Sequence, residues 1–252
     1  VVLITHRLAD VLAVADDVTV LRRGETVLRA TREMLDESSL IAAVVGEPLA
    51  APVRPRARPT TGEVVFALRD AAVDDARGIR RLHPVTLEVR AGEVLGVAGV
   101  EGSGHLELLR LLAGRLKPSS GGVVRPASTG FVPEDRLRDA LVPDFSLAEN
   151  VALVGADSRR GMLAWPDVGA RTAEIVRQFD VRGGSPATVA GKLSGGNQQR
   201  FVVGRERVAA PRAIVAVNPT RGLDVRAAAR VLGAIAEVAD AEGGAVVVYS
   251  SD

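Results

Sequence analysis

Apolar residues follow two rhythms along this chain. Runs at 1–5, 93–98, 213–217 and 245–249 are apolar at almost every position, the pattern of strands buried on both faces. Stretches at 8–15, 106–113 and 225–240 repeat apolar residues three or four apart, which predicts amphipathic helices. A further helix opens at Gly195-Gly196 and runs through Val208. Alternation at 63–68 and 85–89 predicts antiparallel strands, and 129–132 another short strand. Residues 18–21 and 25–28 flank Arg23-Gly24 and read as a hairpin, followed by one or two short helices in 31–45. Residues 147–180 read as mostly helical, broken at 155–161 and by Pro166, with Trp165 as a loop anchor. Strands alternating with helices predict an α/β fold with a largely parallel core sheet.

The pattern lapses once. Pro48, Pro52, Pro55 and Pro59 interleave with Arg54, Arg56 and Arg58, and repeated proline blocks both helix and sheet. Residues 48–61 are therefore expected to be an extended linker between 1–47 and 62–252. Val2-Leu3-Ile4-Thr5-His6 resembles Val247-Val248-Tyr249-Ser250-Ser251 in pattern, which would make His6 and Ser251 equivalent positions in two copies of one domain. Both ends of the chain read as cut.

Composition removes several kinds of chemistry. In 252 residues there is no Cys and there are 3 His, which excludes thiolate metal sites, disulfides and cysteine nucleophiles and argues against a His-rich metal centre. A net charge of +1 gives no general attraction to nucleic acid, and 3% aromatic residues are too few for base-stacking platforms. No apolar run reaches the ~20 residues that span a bilayer.

Gly99-Val100-Glu101-Gly102-Ser103-Gly104-His105-Leu106 lies between an expected strand and an expected helix. Glycines there let backbone N–H groups turn toward a phosphate, and the helix adds its positive end. The loop follows GxxxxGK[ST] only in its glycines. His105 stands at the Lys position and Leu106 at the Ser/Thr position, and leucine cannot ligate a hard cation. A tight strand-to-helix turn explains the same glycines. His105 either donates one bond to a phosphate or packs at the helix start.

Leu193-Ser194-Gly195-Gly196-Asn197-Gln198-Gln199 is more specific. A hydroxyl and two glycine N–H groups at a helix start make an anion site. The segment resembles the LSGGQ signature of ATP-binding cassette (ABC) proteins. Strand 213–217 then leads into Asn218-Pro219-Thr220-Arg221-Gly222-Leu223-Asp224, where such ATPases carry Asp-Glu-Pro-Thr and Gly-Leu-Asp. Pro133-Glu134-Asp135-Arg136 and Ser146-Leu147-Ala148-Glu149-Asn150 are similar to the second cassette of tandem ABC ATPases that serve sugar and nucleoside importers. Thr5-His6-Arg7-Leu8 with Ala15-Asp16-Asp17-Val18 resembles the end of a first cassette, with His6 as its switch histidine.

The resemblance implies an α/β P-loop NTPase of the ABC type, with a parallel core sheet, an antiparallel β subdomain and a helical subdomain. Residues 1–47 would end cassette one, and 62–252 would be a second cassette truncated at its C-terminal end. Nucleotide would meet Gly99, Gly102, Ser103, Gly104 and His105 at one site, and Ser194, Gly195, Gly196 and Gln198 at the other. Glu134 would couple to the membrane subunit, with a solvated turn as the plain alternative. Asp224 would contact the opposite cassette, cap the helix after it, or both.

The departures from the family pattern fall together. Its Mg²⁺-organising Asp corresponds to Val217, its catalytic Glu to Asn218, its loop glutamine roughly to Glu134 and its second switch histidine to Ser251. The second cassette's own loop is thus expected to have little or no turnover. His6 and the signature would face one nucleotide held by a phosphate loop of cassette one, with ATP and Mg²⁺ as cofactors. The implied partners are that cassette, transmembrane permease subunits and, indirectly, a substrate-binding protein, at the cytoplasmic face of the plasma membrane and without nucleic acid. The pattern of loss is closer to the nucleoside-type group than to the ribose-type group.

Overall fold

A computed structural model of the chain describes residues 1–5, 8–22, 24–45, 62–156, 159–241 and 243–251. His6, Arg23 and the Pro/Arg stretch 48–61 lie outside the described residues. The chain divides into two compact units, Val1–Arg54 with Asp224–Ala229, and Pro55–Leu223 with Arg230–Asp252.

The first unit holds helix α1 (Leu8–Val14), strands β1 (Asp17–Arg22) and β2 (Glu25–Thr31), a 3₁₀ turn (Arg32–Met34) and helix α2 (Glu37–Val45). β1 and β2 pair antiparallel, as the alternation requires, and bury Val18 and Val20 against Leu35 and Leu40. The run 1–5 corrects the sequence expectation: it forms no strand, and Val1, Val2, Leu3 and Ile4 are exposed. A β-branched run becomes a strand only when another strand supplies ladder hydrogen bonds, and none of the described strands pairs with this one.

The second unit opens with β3 (Val64–Asp74) and β4 (Arg80–Arg90), longer than their alternation suggested. β5 (Val94–Val97), α3 (His105–Leu112), β6 (Ser120–Val124) and β7 (Thr129–Val132) follow. Then come α4 (Arg136–Asp139), α5 (Leu147–Ala152), α6 (Trp165–Gln178), α7 (Gly195–Val208), β8 (Ala213–Val217), α8 (Val225–Asp240, from Arg230 in this unit) and β9 (Ala245–Tyr249). Trp165 is not a loop residue; it starts α6, with Pro166 at a first-turn position where no N–H is missed. β6 escaped the pattern because its Ser-Gly-Gly start carries no alternation.

Four parallel strands form the core sheet in the order β5-β9-β8-β7, and β4-β3-β6 form an antiparallel sheet. All five residues of β8 are buried, which explains its unbroken apolar run. α3 lies in the core between the two sheets, with Leu109, Leu111 and Leu112 buried among Phe66, Leu68, Val215 and Val247.

A helical region, α5 to α7, completes the unit. Ser146 and Glu149 form a reciprocal capping box on α5, and these bonds hold the Glu149 carboxyl below the usual carboxylate range. Buried Asn150 pins the preceding loop through Val142 N–H (2.8 Å) and the carbonyls of Val142 and Ser146. α6 and α7 meet at Gly204, where a Cβ would fall 2.7 Å from the Phe179 ring and 2.8 Å from Ile175.

Candidate functional site

In open parallel sheets ligands bind beyond the C-terminal strand ends, where loops leave the sheet with their backbone groups unpaired. β5 ends at the glycine loop, β7 at Pro133-Glu134-Asp135, β8 at Asn218-Pro219 and β9 at Ser250-Ser251. The fold thus brings to one edge four segments that are far apart in sequence.

The glycine loop is tied in at its two ends, while Val100, Glu101, Gly102 and Ser103 are exposed. Gly104 caps α3 at φ 84°, and a Cβ there would approach the Arg81 carbonyl to 2.6 Å, so glycine is required twice over. His105 is only 8% exposed. Its Nδ1 shares a 2.9 Å hydrogen bond with Ser103 Oγ, and its ring lies 4.4 Å from that of Tyr249, tilted by 34°. The Tyr249 hydroxyl donates to the Gly99 carbonyl at 3.3 Å, tying the loop to the end of β9. His105 thus packs at the helix start, against Ser103 and Tyr249.

The neighbouring strand ends are also satisfied among themselves. Asn218 adopts a left-handed φ of 46° and is 5% exposed. Its N–H donates to Tyr249 O (2.8 Å), and its Oδ1 accepts from the Ser251 N–H (2.8 Å) and hydroxyl (3.2 Å). Glu134 pairs with Arg221 at 2.5 Å. A cleft of about 500 Å³ opens beside them, with Leu106, Phe131, Pro133 and Val217 as apolar lining and Arg110 and Arg221 at its wall.

The signature segment differs. Ser194 is exposed, stands at the N-cap of α7 and makes no capping bond to its own helix. Its hydroxyl accepts from Asn197 Nδ2 at 3.0 Å instead. No side chain therefore caps α7, and Ser194, Gly195 and Gly196 form the start of a 14-residue helix whose dipole favours an anion. Gln198 is not part of that surface: it is buried, accepting from Arg136 Nε (3.0 Å) and donating to Ala190 O (3.2 Å). Asp224 accepts from the Ala227 N–H at 2.9 Å, the helix-capping role expected of it.

Three contributors were not singled out from sequence. Tyr249 is the chain's one tyrosine and ends a strand, a signal that was available. Arg136 lies in a quoted motif, yet its link to Gln198 spans 62 positions. Glu206, buried in α7, pairs with Arg205 (2.8 Å) and accepts from the Phe131 N–H (3.2 Å), while Arg205 donates to Ala140 O (2.7 Å). This latch fastens α7 to β7 and to the end of α4.

Residues 82–221 match the ABC transporter family. The chain belongs to that family. It is 35% identical to the nucleoside import ATP-binding protein NupA of Lactococcus lactis, over 99% of this chain and 53% of that protein. It is 37% identical to the glucose import ATP-binding protein TsgD13 of Haloferax volcanii, over 100% of this chain and 49% of that protein. The chain thus spans about half the length of the curated relatives it matches. Among solved structures, the dimeric bacterial ABC transporter cassette MJ0796 superposes with a TM-score of 0.63 at 24% identity, covering 75% of this chain and 88% of that one. The fold is that of an ABC-type P-loop NTPase.

The Lys position is filled by an imidazole turned into Tyr249, and Leu106 and Val217 present no oxygen to a hard cation. No cluster of three His, Cys, Asp or Glu among the described residues could hold a metal ion. The uncapped start of α7 does suit a phosphate group. Among the described residues no helix is long and apolar enough to cross a membrane.

Proposed function

We propose that this chain is part of the ATP-binding subunit of an ABC importer for a nucleoside or simple sugar, and that its signature loop serves a nucleotide held by another cassette. One contrast carries the reading. The Ser194–Gly196 helix start is uncapped, whereas the positions of the phosphate lysine, the general base and the switch histidine are occupied by His105, Asn218 and Ser251, bonded to their own neighbours. The names of the import ATP-binding relatives support the substrate class.

In this reading Ser194 and the N–H groups of Gly195 and Gly196 receive phosphate oxygens as the cassettes close. Mg²⁺ and the hydrolytic groups come from the other cassette, together with His6 if residues 1–47 end that cassette. Residues 62–252 form the second cassette, and 48–61 are the tether. The subunit works peripherally at the cytoplasmic face of the membrane with permease subunits, which a substrate-binding protein supplies with cargo.

The test is ATP turnover of the subunit assembled with its permease and the other cassette. Ser194→Tyr abolishes turnover, whereas His105→Ala leaves it within about twofold, a difference under ~0.5 kcal/mol in barrier. Unchanged turnover in Ser194→Tyr overturns the reading. The packing of His105 on Tyr249 also suits a second reading, a nucleotide-sensing or structural cassette, which ATP binding without turnover in the wild-type assembly would establish.

A further inference from the structure

We infer that Arg136 is a positioning residue for the signature loop, setting where Gly195 and Gln198 stand and conveying displacements of α4 to the start of α7. This rests on the reading that Ser194–Gly196 receives a phosphate.

The argument begins with α4. Four residues are too few to hold a helix unaided, so α4 keeps its place through its side chains. Asp135 caps it by accepting from Arg138 N–H (3.2 Å), Asp139 pairs with Arg110 of α3 (3.1 Å), and Ala140 O accepts from Arg205 of α7 (2.7 Å). Arg136 adds the link to the first turn of α7. Its Nε donates to Gln198 Oε1 at 3.0 Å, and Gln198 Nε2 in turn donates to Ala190 O at 3.2 Å, in the turn that precedes the signature.

The guanidinium also stands where the side chain of residue 195 would be. A Cβ on Gly195 would overlap Arg136 Nη2. Glycine at this position therefore serves more than anion access: it makes room for the arginine that braces the loop. The start of α7 is also held by Asn197, whose Oδ1 accepts from the Arg182 N–H (3.0 Å), by Gln199, which donates to Pro219 O (2.9 Å), and by Arg200, which donates to Asp180 O (2.8 Å), while Gly204 and Arg205–Glu206 lie further along the helix. Arg136 acts next to Ser194, where small shifts matter most: displacing a group that must meet a reacting phosphate by about 1 Å can cost ~100-fold in rate.

Two measurements test this together. Amide hydrogen exchange on the chain itself compares wild type with Arg136→Met, Arg136→Lys and Arg138→Met, the last being an exposed neighbour on the same short helix. Arg136→Met is expected to raise exchange at residues 195–199 at least threefold, and Arg138→Met to leave it unchanged. In the assembled transporter, Arg136→Met lowers kcat about tenfold with KM for ATP within twofold, because the nucleotide is held elsewhere. Arg136→Lys, which keeps a donor and the charge, recovers kcat to within about threefold of wild type.

Unchanged exchange at 195–199 in Arg136→Met overturns the proposal whatever the activity. Raised exchange with unchanged turnover, while Ser194→Tyr abolishes turnover, reduces Arg136 to a stability residue and overturns it too. Unchanged turnover in Ser194→Tyr removes the functional reading on which it rests, and the inference falls with it.

Discussion

The Asn218 side-chain oxygen accepts two hydrogen bonds from Ser251, one from its N–H at 2.8 Å and one from its hydroxyl at 3.2 Å. By the family resemblance, these are the positions where a general base and a switch histidine are expected. Here they bind each other, and the backbone N–H of Asn218 is taken up by Tyr249. A residue engaged in this way is not poised to activate water.

Reinstalling a carboxylate should therefore not reinstate hydrolysis. Asn218→Glu places a charge at a buried site in a left-handed conformation that Asn tolerates better than Glu. We expect a loss of about 1–3 kcal/mol in stability, from the displaced hydrogen bonds and the backbone strain, and no gain in turnover. Chemical denaturation and ATPase assays on the same preparation check both, with and without Ser251→His.

His105→Lys should behave likewise. It restores the family's charged residue but loses the Tyr249 ring contact and the Ser103 bond. Losing the ring contact and one hydrogen bond costs ~1–2 kcal/mol. Leu106 and Val217 still offer Mg²⁺ no oxygen, so ATP affinity should be the same with Mg²⁺ as with chelator. Calorimetric titration in both conditions would reveal any Mg²⁺-dependent gain.

Breaking the α7 latch separates a buried charge from its partner. Arg205→Met leaves the Glu206 carboxylate with the Phe131 N–H as its remaining named donor, and removing one partner of a buried pair costs ~3–5 kcal/mol. The double variant Arg205→Met/Glu206→Leu should lose less than Arg205→Met alone, because no charge is stranded. Denaturation midpoints of the wild type, the two single variants and the double variant give the coupling energy.

Gly204→Ala should be among the more damaging conservative changes. The added methyl would press on Phe179 and Ile175 at less than 3 Å, and overpacking of this kind costs ~1–3 kcal/mol. Chemical denaturation measures the loss, and increased protease sensitivity in 165–208 would locate it.

The α5 capping box has a pH signature. Bonds from the Ser146 hydroxyl and N–H hold the Glu149 carboxyl below its usual range. A lowered folded value means that this contribution is present above the unfolded pKa and is lost as pH falls through the folded one. Ser146→Ala should move Glu149 titration upward toward the ordinary carboxylate range. A carboxyl NMR titration showing no upward shift would refute that assignment.

The start of α7 was legible because it is local in sequence: Ser194 stands just before the helix and Gly195 and Gly196 open it. Periodicity anticipated antiparallel strands at β3 and β4, the hairpin β1–β2 and the buried strands β8 and β9. It failed at 1–5, where an apolar run meets no ladder partner among the described strands, and at Trp165, where Pro166 starts a helix rather than breaking one.

Sequence by itself determined the α/β class and the hydroxyl-glycine start of α7, since each depends on residue type or short-range spacing. Only the tertiary structure decided that Ser251 bonds to Asn218 and that Arg136 stands against Gly195. Those partners lie far apart along the chain, 33 positions for Asn218 and Ser251, 62 for Arg136 and Gln198, and 150 for Gly99 and Tyr249. A hydrogen bond is specified by distance and direction in space, and short-range spacing carries neither until the sheet has brought its strand ends together.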